Sequence, residues 1–241
     1  MIKVLELFSG THSVGKCCDE LGWESVSVDM ILPADHECDI MDFDYKQYPK
    51  DYFDIVFASP PCIYYSTLQN CWLGRKKKDG ILVTRELLEE QRKESDKLVE
   101  KSFEIIDYFN PHYWFLENPA TGCLKDRDVV LGKPFYDVSY CMYSDWGYEK
   151  RTRIWTNKND WDNKICDKSG ECGNMIDSHH KLNVSKDVHT IGERKHKVSL
   201  DKVGSGSQHN TKKDLKYLGK GTNRIDRYRI PEDLIYSLFL D

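Results

Sequence analysis

The chain has 241 residues, with 35 Lys and Arg against 40 Asp and Glu, a formal net charge of −5 and nine cysteines. That length accommodates one large α/β domain with a small appendage and leaves no room for two full domains. No stretch approaches the roughly 20 apolar residues of a membrane span, no signal-peptide core precedes the first strand, and the odd, scattered cysteines argue against a disulfide framework. The expectation is a soluble intracellular protein, of cytoplasm or nucleoid, with reduced thiols and no membrane partner. The acidic balance speaks against strong binding to polyanions, but the charge is uneven. Lys181 to Ile230 carries 13 Lys and Arg against 5 Asp and Glu, a basic segment able to contact phosphates or to stand as a solvated loop.

In chain order, Lys3-Val4-Leu5-Glu6-Leu7-Phe8 reads as a strand running into a loop of small residues, Ser9 to Gly15, and then a helix. Gly10 would let the backbone approach a ligand closely, and the helix start beyond it offers free N–H groups. A second strand, Ser25 to Val28, ends at Asp29, where an acid can bind ribose hydroxyls. The pair reads as a Rossmann-type half. Only Gly10 and Gly15 remain of the G-x-G-x-x-G pattern, so a pyrophosphate is poorly provided for. S-adenosyl-L-methionine, which has no phosphate, fits better.

After a loop through Cys38-Asp39-Ile40, the apolar run Phe53, Ile55, Val56, Phe57 and Ala58 predicts a buried parallel strand, stopped by Pro60 and Pro61. Cys62 follows, at a strand end where ligands of open α/β sheets bind; it reads either as a nucleophile or as a small buried hydrophobe. An amphipathic helix is predicted from about Thr84 to Tyr108, with Leu88, Gln91, Leu98, Ser102, Ile105, Ile106 and Phe109 near one face and Pro111 ending it. Tyr113 to Leu116 then forms a strand that delivers Glu117-Asn118-Pro119 to the same sheet edge as Cys62. Glu117 could serve chemistry there, or cap a helix or pair with a cation.

Arg151 and Arg153 alternate on a strand and so share a face, free for substrate or for surface acids. Residues 158–223 are polar, rich in Lys, His, Gly and Ser, and lack periodicity. Within them Cys166, Cys172, His179 and His180 invite a structural zinc reading in a segment with no evident core, although the spacing is not a standard one. Arg75 with Lys76 to Lys78 forms a second basic run in the loop after Cys62. Pro231, Glu232 and Asp233 start a final helix whose stripe is Leu234, Ile235, Leu238 and Phe239. The organisation expected is a core of residues 1–157, a basic insertion of residues 158–223 as candidate target-recognition region, and a helix in residues 224–241 returning to the core.

Taken in order, Phe8-Ser9-Gly10, Ser59-Pro60-Pro61-Cys62, Glu117-Asn118-Pro119 and Glu149-Lys150-Arg151-Thr152-Arg153 resemble the motifs of the cytosine C5-methyltransferase family, and most resemble its small phage and virus members. The resemblance implies a Rossmann-like, S-adenosyl-L-methionine-dependent methyltransferase fold, a mostly parallel sheet flanked by helices with a small polar C-terminal insertion. It implies Cys62 as the nucleophile that adds to C6 of a cytosine flipped from DNA, Glu117 against N3 and the exocyclic amine, and Arg151 and Arg153 at the O2 edge or a phosphate. It places the cofactor among Phe8, Ser9, Gly10, Thr11, Asp29, Met30, Asp39, Ile40, Ser59 and Pro60. Departures bear on cofactor affinity and substrate choice. His12 and Ser13 stand where most members have glycines, Ile63 where they have glutamine, Pro119 where valine is common, and Glu149 where glutamine precedes the arginines. Three alternatives stay open: an RNA substrate such as a tRNA cytosine, exocyclic amino methylation, since Ser59-Pro60-Pro61 also begins that signature, and a non-catalytic binding module.

Overall fold

The computed structural model describes residues 1–77, 79–176, 179–182 and 228–240. Its main sheet has seven strands: β1 (Lys3–Leu7), β2 (Glu24–Asp29), β3 (His36–Glu37), β4 (Ile55–Ala58), β5 (Tyr113–Pro119), β6 (Phe135–Ser139) and β7 (Arg151–Thr156). They lie in the order β3-β2-β1-β4-β5-β7-β6. β1 pairs in parallel with β2 and β4, β2 with β3, and β4 with β5, while β7 runs antiparallel to β5. The result is a mostly parallel Rossmann-like α/β fold, as the resemblance implies. β4 is buried at all four positions and β1 at four of five. Strands covered on both faces carry continuous apolar runs, and this is why Val4-Leu5 and Ile55-Val56-Phe57-Ala58 pair at the sheet centre.

The chain places β2 and β3 on one side of β1, then returns to place β4 and β5 on the other. The order reverses between β1 and β4, and in open α/β sheets the crevice at such a reversal, beyond the carboxyl ends of the strands, receives the ligand. The loops that leave β1 and β4 are Phe8-Ser9-Gly10 and Ser59-Pro60-Pro61-Cys62.

Two helices follow from local signals. α1 (Ser13–Leu21) ends on Gly22 in the left-handed region at φ 67°, where glycine carries no Cβ penalty. α2 (Arg85–Phe109) starts on Thr84, whose hydroxyl accepts from the Leu87 N–H, and ends on Asn110 at φ 46°, just before Pro111. Its buried stripe includes Leu88, Val99, Ser102, Phe103, Ile105, Ile106 and Phe109. The expected face included Gln91 and Leu98, both half-buried; it excluded Asp96, which is buried. Val99, Phe103, Ile105, Ile106 and Phe109 of α2 join Leu5, Leu7, Phe53, Val56 and Leu116 in one core, with Phe53 and Phe109 edge to face at 4.9 Å.

Contacts divide the chain into a larger unit, Met1–Asp137 with Thr152–Asp162, and a smaller one, Val138–Arg151 with Asn163–Asp241. The smaller unit holds a two-stranded antiparallel ribbon, β8 (Met175–Ile176) and β9 (His179–His180), and α3 (Glu232–Leu240). In α3 the predicted stripe Leu234, Ile235, Leu238 and Phe239 is buried, and the Pro231 carbonyl accepts from the N–H groups of Leu234 and Ile235. Most of the basic segment between Lys181 and Ile230, and with it most of the expected insertion, lies outside the described residues. Among those described, no helix is long and apolar enough to cross a membrane.

Candidate active site

The loop after β1 is a run of constrained backbone. Phe8, Gly10 and His12 have φ of 59°, 53° and 56°, and for the two non-glycine residues the left-handed region costs roughly 1–2 kcal/mol each. Strained residues of this kind concentrate at ligand sites. His12 thus holds a backbone conformation in which glycine is the easy choice. Its ring Nε2 bonds the Pro33 carbonyl and so tethers the loop after β1 to the loop after β2. Asp29 ties the same loops. One carboxylate oxygen accepts from the Gly10 N–H at 2.9 Å, the other from the N–H groups of Ile31 and Leu32 at 2.8 Å each. The expected ribose ligand therefore also shapes the loop. Met30, the residue after β2, is 63% exposed. Asp39 caps its own turn through the Met41 N–H at 2.9 Å, and Ile40 is buried.

Sequence reasoning missed Glu6. Its carboxylate, buried within β1, accepts from the N–H groups of Val14 and Gly15 at 3.1 and 3.0 Å. Burial pushes its pKa from the ordinary 4.5 up to about 7, although the two backbone bonds, His12 and Lys16 pull the other way. The N–H groups of Val14 and Gly15 in the first turn of α1 are thus already taken by an acid of the protein itself, and an incoming phosphate would not find them free. The residues suit a nucleoside cofactor without phosphate. The signal was present as a lone acid inside an apolar strand, a pattern that needs a partner.

The loop after β4 is fixed from two sides. The Asn118 side-chain amide donates to the Pro60 carbonyl at 2.9 Å, linking two of the motifs across 58 residues of chain. The Cys62 carbonyl accepts from the N–H groups of Tyr65 and Ser66 at 3.1 Å. Fully buried Tyr65 donates through its hydroxyl to Asp96 at 2.9 Å, and its carbonyl accepts from the Cys123 N–H. Arg127 binds Asp96 through Nε and Nη2 and reaches Glu89 at 2.6 Å. This network explains the acid in the α2 stripe, and it holds the Cys62 turn against α2. Cys62 itself is half-buried. Cys18, by contrast, is fully buried and pushed up to about 12, chiefly by burial and also by Glu6, as befits an inert core thiol.

Register brings Glu117 to the same edge. Ala58 pairs with Leu116, so Glu117 is the next residue of β5 as the neighbouring strand turns into Ser59-Pro60-Pro61-Cys62. Glu117 is buried, 6% exposed. Three buried polar atoms along this edge have no hydrogen-bond partner among the described residues: Ser9 Oγ after β1, Asn118 Oδ1 at the end of β5, and Thr152 Oγ1 at the start of β7, opposite Pro119. Native proteins seldom leave such groups unpaired, and a bound ligand is one way of satisfying them. Arg153 lies opposite Asn118, pairs with Asp137 at 2.7 and 3.0 Å, and has its guanidinium 3.6 Å from the Phe135 ring centroid. Arg151 is exposed at the start of β7.

Around the basic run after Cys62, Lys76 and Leu82 form an isolated antiparallel bridge, and the Lys77 N–H donates to the Ile81 carbonyl. Ile63, Leu68, Trp72, Ile81 and Leu82 expose about half or more of their surface in this segment, near Arg75, Lys76 and Lys77.

In the smaller unit, three of the four proposed metal ligands come together. Cys166, Cys172 and His180 are joined by Cys141, which sequence spacing did not suggest, with all four ligand atoms within 4.8 Å of one another. His179 is corrected out of the set. It is the exposed neighbour of His180 in β9, and adjacent strand residues point to opposite faces.

A sheet of this topology, with a half-buried thiol and a buried carboxylic acid at the carboxyl ends of adjacent parallel strands, defines a Rossmann-like methyltransferase class. No protein-family model matches the chain. It is 36% identical over 239 residues, 98% of each chain, to a "Probable DNA (cytosine-5)-methyltransferase" of Frog virus 3 (isolate Goorha), and the chain belongs to the DNA (cytosine-5)-methyltransferase family. A solved prophage-encoded protein of E. coli, provisionally named a DNA modification methyltransferase, superposes with a TM-score of 0.43 at 13% identity. The match covers 65% of this chain and 46% of that one, too remote a likeness to bear on the chemistry.

Proposed function

We propose that the protein methylates C5 of cytosine in DNA, with S-adenosyl-L-methionine as methyl donor and Cys62 as covalent nucleophile. The observation that carries this reading is the junction of Cys62 and Glu117 at neighbouring strand ends, with Asn118 of one motif bonded to Pro60 of the other. When bound, the cofactor supplies an electrophilic methyl group on a sulfonium. Ser9, Gly10, Asp29, Met30 and Asp39 would hold it at the crevice after β1 and β2, and the Glu6 carboxylate at the start of α1 disfavours phosphorylated competitors.

C5 of cytosine is a weak nucleophile. The Cys62 thiolate adds to C6, and the electron pair moves to C5 while Glu117 shares a proton with N3. C5 would then take the methyl group as the S–CH3 bond breaks and its electron pair stays on sulfur, leaving a neutral thioether. Water then accepts the C5 proton, the C6–S bond breaks, and Cys62 returns as thiolate. The base must leave the stack for this, and the apolar and basic side chains between Ile63 and Leu82 suit contact with a distorted duplex. Arg151 and Arg153 are proposed on the substrate side, Arg153 with its charge already shared with Asp137.

The test is to incubate the protein with S-adenosyl-L-methionine and DNA containing 5-fluorocytosine, whose fluorine cannot leave as a proton. A denaturation-resistant adduct mapped to Cys62, and lost in Cys62→Ala, is the expected result. An adduct on RNA alone would move the substrate; none on either, with methyl transfer to an exocyclic amine, would overturn the C5 reading.

A further inference from the structure

We propose that Cys141, Cys166, Cys172 and His180 bind one zinc ion that clips the smaller unit together. A tetrahedral zinc site with Zn–S of about 2.3 Å and Zn–N of about 2.0–2.1 Å separates sulfur from nitrogen by roughly 3.6 Å. The Sγ atoms of Cys166 and Cys172 both lie 3.7 Å from His180 Nε2. Three thiols and one imidazole, all within 4.8 Å of one another, match the donor set of closed structural zinc sites. A disulfide would pair two of the sulfurs at about 2.05 Å and leave the third and the imidazole without a role.

The surroundings are built for the same task. The amide nitrogen of Asn174, a residue 1% exposed, lies within hydrogen-bond distance of the carbonyls of Cys141 (2.8 Å), Ser144 (2.7 Å) and Cys172 (2.9 Å), which share its two N–H groups, and its Oδ1 accepts from the Gly147 N–H at 2.9 Å. One side chain thus positions the backbones of two ligands. The Lys168 N–H donates to the Cys166 sulfur. The other ring nitrogen of His180 is 4.0 Å from a Glu149 carboxylate oxygen, beyond direct hydrogen-bond reach but close enough for the carboxylate to favour the imidazole electrostatically and to take up the orienting contact of a metal-bound histidine after a small side-chain shift. The ribbon of β8 and β9 has only two residues per strand, too few to be stable without an added constraint.

The experiment uses the full chain, purified reduced from zinc-supplemented cells. Elemental analysis should give one zinc per chain, and after chelation Co2+ should produce the visible and near-ultraviolet bands of a tetrahedral thiolate site, displaced by Zn2+. Cys141→Ser should abolish those bands, His179→Ala should leave them intact, and Glu149→Ala should weaken metal affinity about 10–100-fold. Should Cys141→Ser fail to fold, the wild type still decides: with metal bound, Cys141, Cys166 and Cys172 should resist alkylation and become reactive on chelation. A folded, reduced chain without metal, a Cys141→Ser variant that binds as well as wild type, or a disulfide among these thiols would overturn the assignment.

Discussion

Glu6 shows how a single buried acid shapes the cofactor crevice. Its folded pKa, about 7, lies above the ordinary 4.5, so folding takes up a proton between those values. Its contribution to stability is full below about pH 4.5 and is lost as pH rises through 7, on the order of 3 kcal/mol in total. Glu6→Gln should flatten that part of the stability curve, measured by denaturant unfolding from pH 5 to 8; an unchanged slope would assign it to other groups. Asn118 is the second residue whose role depends on one bond. Asn118→Ala leaves the Pro60 carbonyl unpaired, at a cost of about 1–3 kcal/mol. It should lower kcat on the order of 100-fold while KM for S-adenosyl-L-methionine changes little, because it displaces the Cys62 loop and spares the loop after β1. At this scale Cys62 and Glu117 were legible as single residues. The Asn118 bond was not, since no local pattern announces a partner 58 positions away.

At the scale of elements, the strands that carry the site were readable from apolar runs and their stopping residues, and α2 from its cap and stripe. What the periodicity did not convey was why Asp96 belongs to the buried face. The answer is tertiary: Tyr65, 31 residues earlier, and Arg127, 31 residues later, both need that carboxylate. Asp96→Ala should cost about 2–3 kcal/mol by removing the charged partner shared by the buried Tyr65 hydroxyl and the part-buried Arg127 guanidinium, which keeps only Glu89, about 4–12 °C in Tm for a chain of this size. Glu89→Ala, whose side chain is 41% exposed, should cost well under 1 kcal/mol. Equal losses in calorimetry would show that Arg127 depends on both acids alike. The metal ligands follow the same rule. Cys166, Cys172 and His180 are close in sequence, whereas Cys141 precedes β7 and could be added to the set only by folding the chain.

For the whole molecule, acidic composition and a nucleic-acid substrate are reconciled by uneven charge. If the segment from Lys181 to Ile230 neutralises phosphates, log Kobs for DNA should fall steeply with log salt although the net charge is −5. Replacing Lys212, Lys213 and Lys216 with Gln should reduce that slope by about 0.9 per lost contact; an unchanged slope would remove this segment from the interface. The Glu6 carboxylate at the start of α1 has a consequence beyond folding. ATP and the dinucleotides are among the most abundant small molecules of a cell and share the adenosine moiety of the methyl donor. On the proposed reading, an acid of the protein already seated where their phosphates would dock should leave the crevice to a sulfonium ligand even in the presence of a large phosphorylated pool.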